Sequence, residues 1–124
     1  MKKLLILALF LLATLTFPCD DHFNSGHLDL LPGEVKSFDI SLVGCDLLPD
    51  ILHVYGYVTG HRKSRQIKSG DKIRMFYQSM NGDVLVSDTG WLTVENPTFT
   101  YTVTITNMRN KVQKLRLRAV ALVE

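Results

Sequence analysis

The stretch Thr98-Phe99-Thr100-Tyr101-Thr102-Val103-Thr104-Ile105-Thr106 decides the fold of this chain. Threonine occupies every even position, and aromatic or aliphatic residues occupy the odd positions between them. Only a β-strand directs alternate side chains to opposite faces, so the stretch is predicted to be a strand with one buried and one solvated face. Its β-branched and aromatic residues are also those that favour strands.

Other segments with the same period of two lie on both sides of this stretch. Strands are predicted at residues 27–31, 35–43, 51–59, 73–78, 84–86, 91–94 and 113–123. Asn81-Gly82 predicts a type I′ hairpin turn. Residues 91–94 form either a separate strand or the continuation of 84–86 beyond a bulge. Residues 60–71 lack an apolar period and are predicted to be a surface loop.

The fold class follows from these strands. Because they recur at near-regular spacing and no segment shows a helical period, the chain is predicted to be an all-β, antiparallel two-sheet sandwich of seven or eight strands. An immunoglobulin-like Greek key is favoured, and a jelly roll or small barrel is the alternative. The immunoglobulin spacing of cysteine and tryptophan is absent, so the prediction concerns architecture and not a family.

The N-terminal residues have the layout of an export signal. Lys2 and Lys3 precede an apolar run over residues 4–17, which ends at a polar segment. The run is 14 residues long, shorter than the roughly 20 that span a bilayer. We therefore expect an export signal at 1–18, a mobile tail at 19–26 and one domain at 27–124, in a secreted or extracytoplasmic protein. An anchor helix kept in the mature protein is the alternative.

Cys19 and Cys45 are the two cysteines of the chain. In an oxidising compartment such a pair predicts a disulfide bridge, which would stabilise the fold by roughly 3 kcal/mol. The Met-Lys-Lys start, the leucine-rich core and Cys19-Asp20-Asp21 also resemble the leader of a bacterial lipoprotein. That resemblance implies a lipidated Cys19 as the first mature residue and a cell-surface anchor, and the two alternatives remain open.

The charge of the chain is segregated. Without Lys2 and Lys3 it carries twelve basic and twelve acidic residues, with acidic residues concentrated in 19–50 and basic ones in 61–74. Nucleic acid is not an expected partner of a neutral, exported protein. The cations of the basic segment that are candidates for contact with a polyanion are Arg62, Lys63 and Arg65. The alternative is a solvated loop without a ligand.

No catalytic motif is present. The histidines show no metal-ligand spacing, no serine lies in a nucleophile elbow, and no glycine-rich phosphate loop occurs. The chain is therefore expected not to be an enzyme and to use no cofactor and no metal. The cluster of Asp20, Asp21, His22 and His27 is interpreted as part of a solvated tail.

One strand carries a candidate ligand-binding row. His53, Tyr55 and Tyr57 alternate with aliphatic residues in segment 51–59, which places the three rings on one face over about 13 Å. An exposed row of this kind would suit stacking on sugar rings. The alternative is that the rings pack beneath a loop or against the second sheet.

These observations predict an exported, non-enzymatic binding module that recognises a glycan or a protein partner through loops and one aromatic face. One alternative is a carrier of lipid or another small ligand, with a cavity between the sheets. Another is a structural or assembly subunit that uses an edge strand. Contact with a membrane is expected only through a lipid on Cys19.

Overall fold

A computed structural model describes residues 23–42, 49–60 and 63–122. The leader, Cys19, Cys45 and Arg62 lie outside these residues, so the predictions made for them stay predictions. The strands are β1 Phe23–Asn24, β2 Leu28–Leu30, β3 Val35–Ser41, β4 Ile51–Val58, β5 Arg65–Gln66, β6 Ile73–Ser79, β7 Val84–Ser87, β8 Trp91–Glu95, β9 Thr100–Asn107 and β10 Gln113–Leu122; a 3-10 helix covers Ser69–Asp71.

The strands form two antiparallel sheets. In sheet 1, β10 pairs with β1 and β2 on one side and with β4 on the other, and β4 pairs in turn with β8 and β5. Sheet 2 has the order β3-β9-β6-β7. The buried side chains of the two sheets form one core. The predicted all-β, two-sheet antiparallel sandwich is therefore confirmed.

If β1 and β2 count together as the first strand, the connections do not follow the immunoglobulin order, in which the first two strands share a sheet. Here the chain crosses to the other sheet after β2, β3, β5, β7, β8 and β9, and the last long strand, β10, lies beside β2. If β1 and β2 count as one edge strand and the two-residue β5 is set aside, eight strands remain. Their sheet orders, 1-8-3-6 and 2-7-4-5, are those of the jelly-roll alternative.

The threonine stretch from Thr100 onward belongs to strand β9 in the middle of sheet 2, whereas Phe99, which the period of two places on the buried face, precedes the strand and is exposed. Tyr101, Val103 and Ile105 are buried, as the period of two predicted, while the threonines lie on the outer face. β4 buries Leu52, Val54, Gly56 and Val58 in the same way. The side chains of β10 that face them are completely buried: Leu115, Leu117, Ala119 and Ala121.

Two segments differ from expectation near the N-terminus and in the hairpin. Phe23 and Asn24, which fall in the predicted tail, pair with β10, and the Phe23 ring packs against Phe38 with centroids 5.4 Å apart.

In the hairpin between β6 and β7, Gly82 has φ +88° but Asn81 does not have a positive φ, so the turn is not type I′. The Gly82 N–H instead donates to the Ser79 carbonyl, and the Ser79 N–H to that of Asp83.

The segment 60–71 is more than a surface loop. It contributes β5 to sheet 1, buries Ile67 and ends in the 3-10 helix with a buried Asp71. The expectation failed because a single apolar residue, Ile67, carries no periodic signal although it fills a gap beside Gly56. Residues 91–94 form a separate strand and do not continue 84–86 beyond a bulge, because β7 and β8 belong to different sheets.

Candidate functional site

The outer face of sheet 1 carries the row predicted from β4. His53, Tyr55 and Tyr57 are half-buried and alternate with the buried aliphatic positions of the strand. The ring centroids of His53 and Tyr55 are 5.9 Å apart and those of Tyr55 and Tyr57 are 6.3 Å apart, with interplanar angles of 34° and 32°. Strand pairing on both sides of β4 fixes the spacing of the rings.

Trp91 extends this row onto the neighbouring strand. It pairs with Tyr55 in the register of β8 and β4, and the two rings lie 6.5 Å apart at an interplanar angle of 20°. Its Nε1–H donates to Nδ1 of His53 at 3.3 Å, and the hydroxyl of Thr93 lies 3.2 Å from the same nitrogen. Trp91 is 51% exposed. Four ring side chains from two strands therefore form one surface, which we call the aromatic platform: His53, Tyr55, Tyr57 and Trp91.

Trp91 was not among the predicted site residues. The sequence contained half of the signal, because Leu92 and Val94 mark the core face of β8 and leave Trp91 and Thr93 on the other face. The sequence does not indicate that Trp91 lies beside Tyr55, because periodicity does not show which strand pairs with β4 or in which register.

The position of Trp91 depends on a close contact between two glycines. β4 changes its partner from β8 to β5 at Gly56, whose N–H donates to the Gly90 carbonyl and whose carbonyl accepts from the Ile67 N–H. Gly90 has φ +73°, and a Cβ there would lie 2.7 Å from the Gly56 oxygen. Only glycine fits this position, so Gly90 allows β8 to begin close to β4 and places Trp91 on the platform.

A row of cations runs beside the rings on β10. Arg116 pairs with Tyr57 and Arg118 with Tyr55 in the strand register, and Lys114 continues the same face. The guanidinium carbon of Arg116 lies over the Tyr57 ring at 5.6 Å from its centroid, a cation–π contact. The platform is therefore flanked by positive charge along one side.

The basic loop candidates are arranged differently. Both terminal nitrogens of Arg65 bind the carboxylate of Asp71, at 2.7 and 2.8 Å, and the Lys68 N–H donates to the same carboxylate at 2.9 Å. These bonds, those from Arg65 first, hold the pKa of the Asp71 carboxyl below its usual value. Lys63 is exposed. The structure thus engages Arg65 in an internal ion pair and does not place it in the aromatic platform.

Two other kinds of ligand site are a cluster of metal ligands and a concavity in the surface. In residues 23–42, 49–60 and 63–122, no three His, Cys, Asp or Glu side chains come together as metal ligands. A concavity of about 320 Å³ opens between β7 and the end of β8, with Asp83, Glu95 and Asn96 among its lining residues. The lining mixes these polar side chains with apolar ones such as Val84 and Leu85, so the concavity is not the predominantly apolar cavity that an acyl chain would need.

Across the described ranges, no helix has the length and apolar character needed to cross a bilayer.

No protein-family model matches the chain, and no curated protein matches it. Functional inference therefore depends on the geometry of the site.

Proposed function

We propose that the protein is a non-enzymatic binding module that holds a glycan on the outer face of sheet 1. The observation that carries the proposal is the aromatic platform, in which four rings contact one another and Trp91 is half exposed. A pyranose ring presents an apolar C–H face that packs on an aromatic ring, while its hydroxyls remain available to polar groups. The platform offers several such rings in a row.

The rigidity of the platform supports this use. Each ring belongs to a paired strand, and the Trp91 side chain is held by its hydrogen bond to His53. Side chains that are already ordered lose little entropy on binding, which favours affinity for a weakly interacting ligand such as a sugar. Flat platforms without a deep pocket suit long polymers, because several rings act on one chain at once.

The test uses Trp91 as its own reporter, because the chain has a single tryptophan. Wild-type protein is expected to be retarded by at least one soluble polysaccharide in affinity electrophoresis, with a change in tryptophan fluorescence. Tyr55→Ala should abolish the retardation without unfolding the domain, since the ring lies on the outer face of sheet 1 and its removal chiefly loses the stacking on Trp91, about 0.5–1.5 kcal/mol.

Phe99→Ala is the control, because it removes an aromatic ring that is exposed on the surface but lies outside the platform. It should bind like the wild type. The proposal fails if no polysaccharide retards the wild-type protein, or if Tyr55→Ala and Phe99→Ala bind equally well.

A second candidate function is assembly through an edge strand. β7 carries three consecutive exposed apolar side chains, Val84, Leu85 and Val86, and within the described residues it pairs only with β6. An exposed apolar edge is suited to pairing with a strand of another chain. Val86→Lys should then reduce the mass of the assembly measured by light scattering, whereas an unchanged monomeric mass in wild type and variant would exclude self-assembly.

We also propose that the protein is exported, either free or anchored through a lipid on Cys19. The support is the leader-like layout of residues 1–18. Intact-mass measurement of the mature protein distinguishes the alternatives. A chain that begins at Cys19 with added acyl mass indicates the lipoprotein, a loss of two hydrogens indicates the bridge to Cys45, and a chain that retains residues 1–18 refutes processing.

A further inference from the structure

The charge beside the aromatic platform has a consequence for the kind of sugar it holds. Side chains on β10 that point to the outer face of sheet 1 repeat every second residue, so Lys114, Arg116 and Arg118 form a row with a spacing of roughly 6.7 Å. This row runs parallel to the rings of β4, one strand spacing away. A ligand stacked on Tyr55 and Tyr57 would therefore lie directly beside two guanidinium groups.

Arg116 is the member of this row whose surroundings are most informative. Among the described residues it makes no ion pair, and its guanidinium lies against the face of the Tyr57 ring. Its Nε is buried without a hydrogen-bond partner. Arg65, by contrast, has its charge neutralised by the Asp71 carboxylate. Arg116 therefore retains an uncompensated charge next to a ring, where its planar guanidinium can donate two hydrogen bonds to one carboxylate.

The acidic residues of the same face lie at its ends. In the strand register, Asp29 is opposite Lys114 at one end and Glu95 is opposite Ile51 at the other. The register positions around Tyr55 and Tyr57 are occupied by Arg118, Trp91, Arg116 and Gln66. The centre of the platform thus combines aromatic rings with positive charge and has no carboxylate at these positions.

We propose that the glycan is an acidic polysaccharide, with the carboxylate of a uronic acid bound by Arg116 and its sugar ring stacked on the platform. This inference rests on the proposed glycan-binding function and adds the substrate class. A uronic acid supplies both parts at the required proximity, because its carboxylate is attached to the ring that stacks. Bidentate hydrogen bonding to guanidinium also fixes the orientation of that ring.

The experiment compares polymers that differ only in charge. Polygalacturonate, alginate and hyaluronate are each tested against their carboxyl-reduced forms by affinity electrophoresis and tryptophan fluorescence. Wild-type protein is expected to bind at least one of the acidic polymers about tenfold or more tightly than its reduced form, since hydrogen bonds to charged groups are stronger than neutral ones.

Two variants locate the effect. Arg116→Lys keeps the charge but loses the planar fork, and should weaken binding of the acidic polymer by about tenfold while leaving binding of the reduced form unchanged. Arg74→Lys makes the same change on the outer face of sheet 2 and should have no effect. Thermal melts of both variants should match that of the wild type.

The outcomes separate this inference from the function on which it rests. Equal binding of acidic and reduced polymers would overturn the acidic specificity and leave the glycan platform intact. Failure to bind any polymer, with Tyr55→Ala indistinguishable from wild type, would overturn both. Tighter binding of dextran sulfate than of all three uronates would overturn the carboxylate assignment, and equal losses in Arg116→Lys and Arg74→Lys would show mere polyanion attraction.

Discussion

Trp91 and Tyr55 stack across strands β8 and β4, with ring centroids 6.5 Å apart and planes 20° from parallel. The contact joins the two strands that carry the aromatic platform, and it also belongs to the register of sheet 1. Aromatic pairs of this kind contribute about 0.5–1.5 kcal/mol beyond the area that they bury. The platform therefore stabilises the sheet that presents it.

The Trp91–Tyr55 contact is expected to produce a measurable coupling. In a double-mutant cycle of Tyr55→Ala and Trp91→Ala, the free energies of unfolding should be non-additive by about 0.5–1.5 kcal/mol. Urea denaturation followed by far-ultraviolet circular dichroism measures the four proteins without depending on Trp91. The cycle of Tyr55→Ala with Phe99→Ala is the control, and a coupling in that cycle of equal size would show that the stacking is not the cause.

The ion pair between Arg65 and Asp71 should make stability depend on pH in the acidic range. The pKa of the Asp71 carboxyl is lowered in the folded chain, chiefly by hydrogen bonds from Arg65 and also by the Lys68 N–H. The ionised carboxylate therefore stabilises the fold above the unfolded pKa, near 3.9, and the contribution disappears as the pH falls through the lower folded value. Asp71→Asn should cost about 2–3 kcal/mol at pH 7.

Measurements of urea midpoints from pH 7 to pH 2.5 test this dependence. The difference between wild type and Asp71→Asn should narrow at the acidic end, because only the wild type loses an ionised group. Asp88→Asn, at an exposed carboxylate, should differ from wild type by no more than about 0.5 kcal/mol at pH 7. A constant difference between wild type and Asp71→Asn across the range would contradict the assignment.

Asn107 is predicted to be the most sensitive polar residue of the core. Its side chain is completely buried, its Nδ2 lies within 3.2 Å of the carbonyl oxygens of Leu30, Leu31 and Lys111, and its Oδ1 accepts from the Arg109 N–H. Asn107→Asp replaces the donor by an oxygen that faces these carbonyls. We expect a loss of about 3 kcal/mol or more in urea denaturation at neutral pH.

Asn110→Asp makes the same chemical change at an exposed position of the same turn and serves as the control. It should be close to neutral. Comparable losses in both variants would mean that the turn, and not the buried amide, is responsible for the effect.

The sequence predicted the parts of the fold that repeat with a period of two. The buried face of β9, the buried face of β4 and the outward row of His53, Tyr55 and Tyr57 all follow from alternation along single strands. Pairing between distant strands does not follow from it, so the sequence favours an immunoglobulin-like order over the jelly-roll alternative and does not predict the place of Trp91 beside Tyr55. Periodicity identifies a face but not its neighbour.

The burial of residues that lie outside any periodic pattern also could not be predicted from the sequence. Ile67 and Asp71 lie in a segment that is polar on average, yet both are buried because each meets a specific partner from elsewhere in the fold. Arg116 lies on an outward face of β10, but its contact with Tyr57 depends on the register of β10 and β4. The sequence therefore predicted three of the four rings of the candidate site, but not the cations of β10 that lie beside them.

Gly90→Ala is expected to damage both the fold and the platform. Gly90 has φ +73°, and an added Cβ would lie 2.7 Å from the Gly56 oxygen and 2.8 Å from the Ile67 nitrogen. Gly82 has a similar φ of +88° but no heavy atom within 4 Å of an added Cβ. Gly82→Ala thus experiences only the left-handed strain, about 1–2 kcal/mol, whereas Gly90→Ala experiences that strain together with a clash between backbones.

The difference between the two variants measures the clash alone. Gly90→Ala should be less stable than Gly82→Ala by about 1–3 kcal/mol in urea denaturation, because backbone atoms, unlike the end of a flexible side chain, cannot move aside without disturbing the pairing of β4. Tryptophan fluorescence should shift in folded Gly90→Ala but not in Gly82→Ala, since Trp91 is the next residue. Equal stabilities with unchanged fluorescence would show that the approach of Gly90 to Gly56 does not position Trp91.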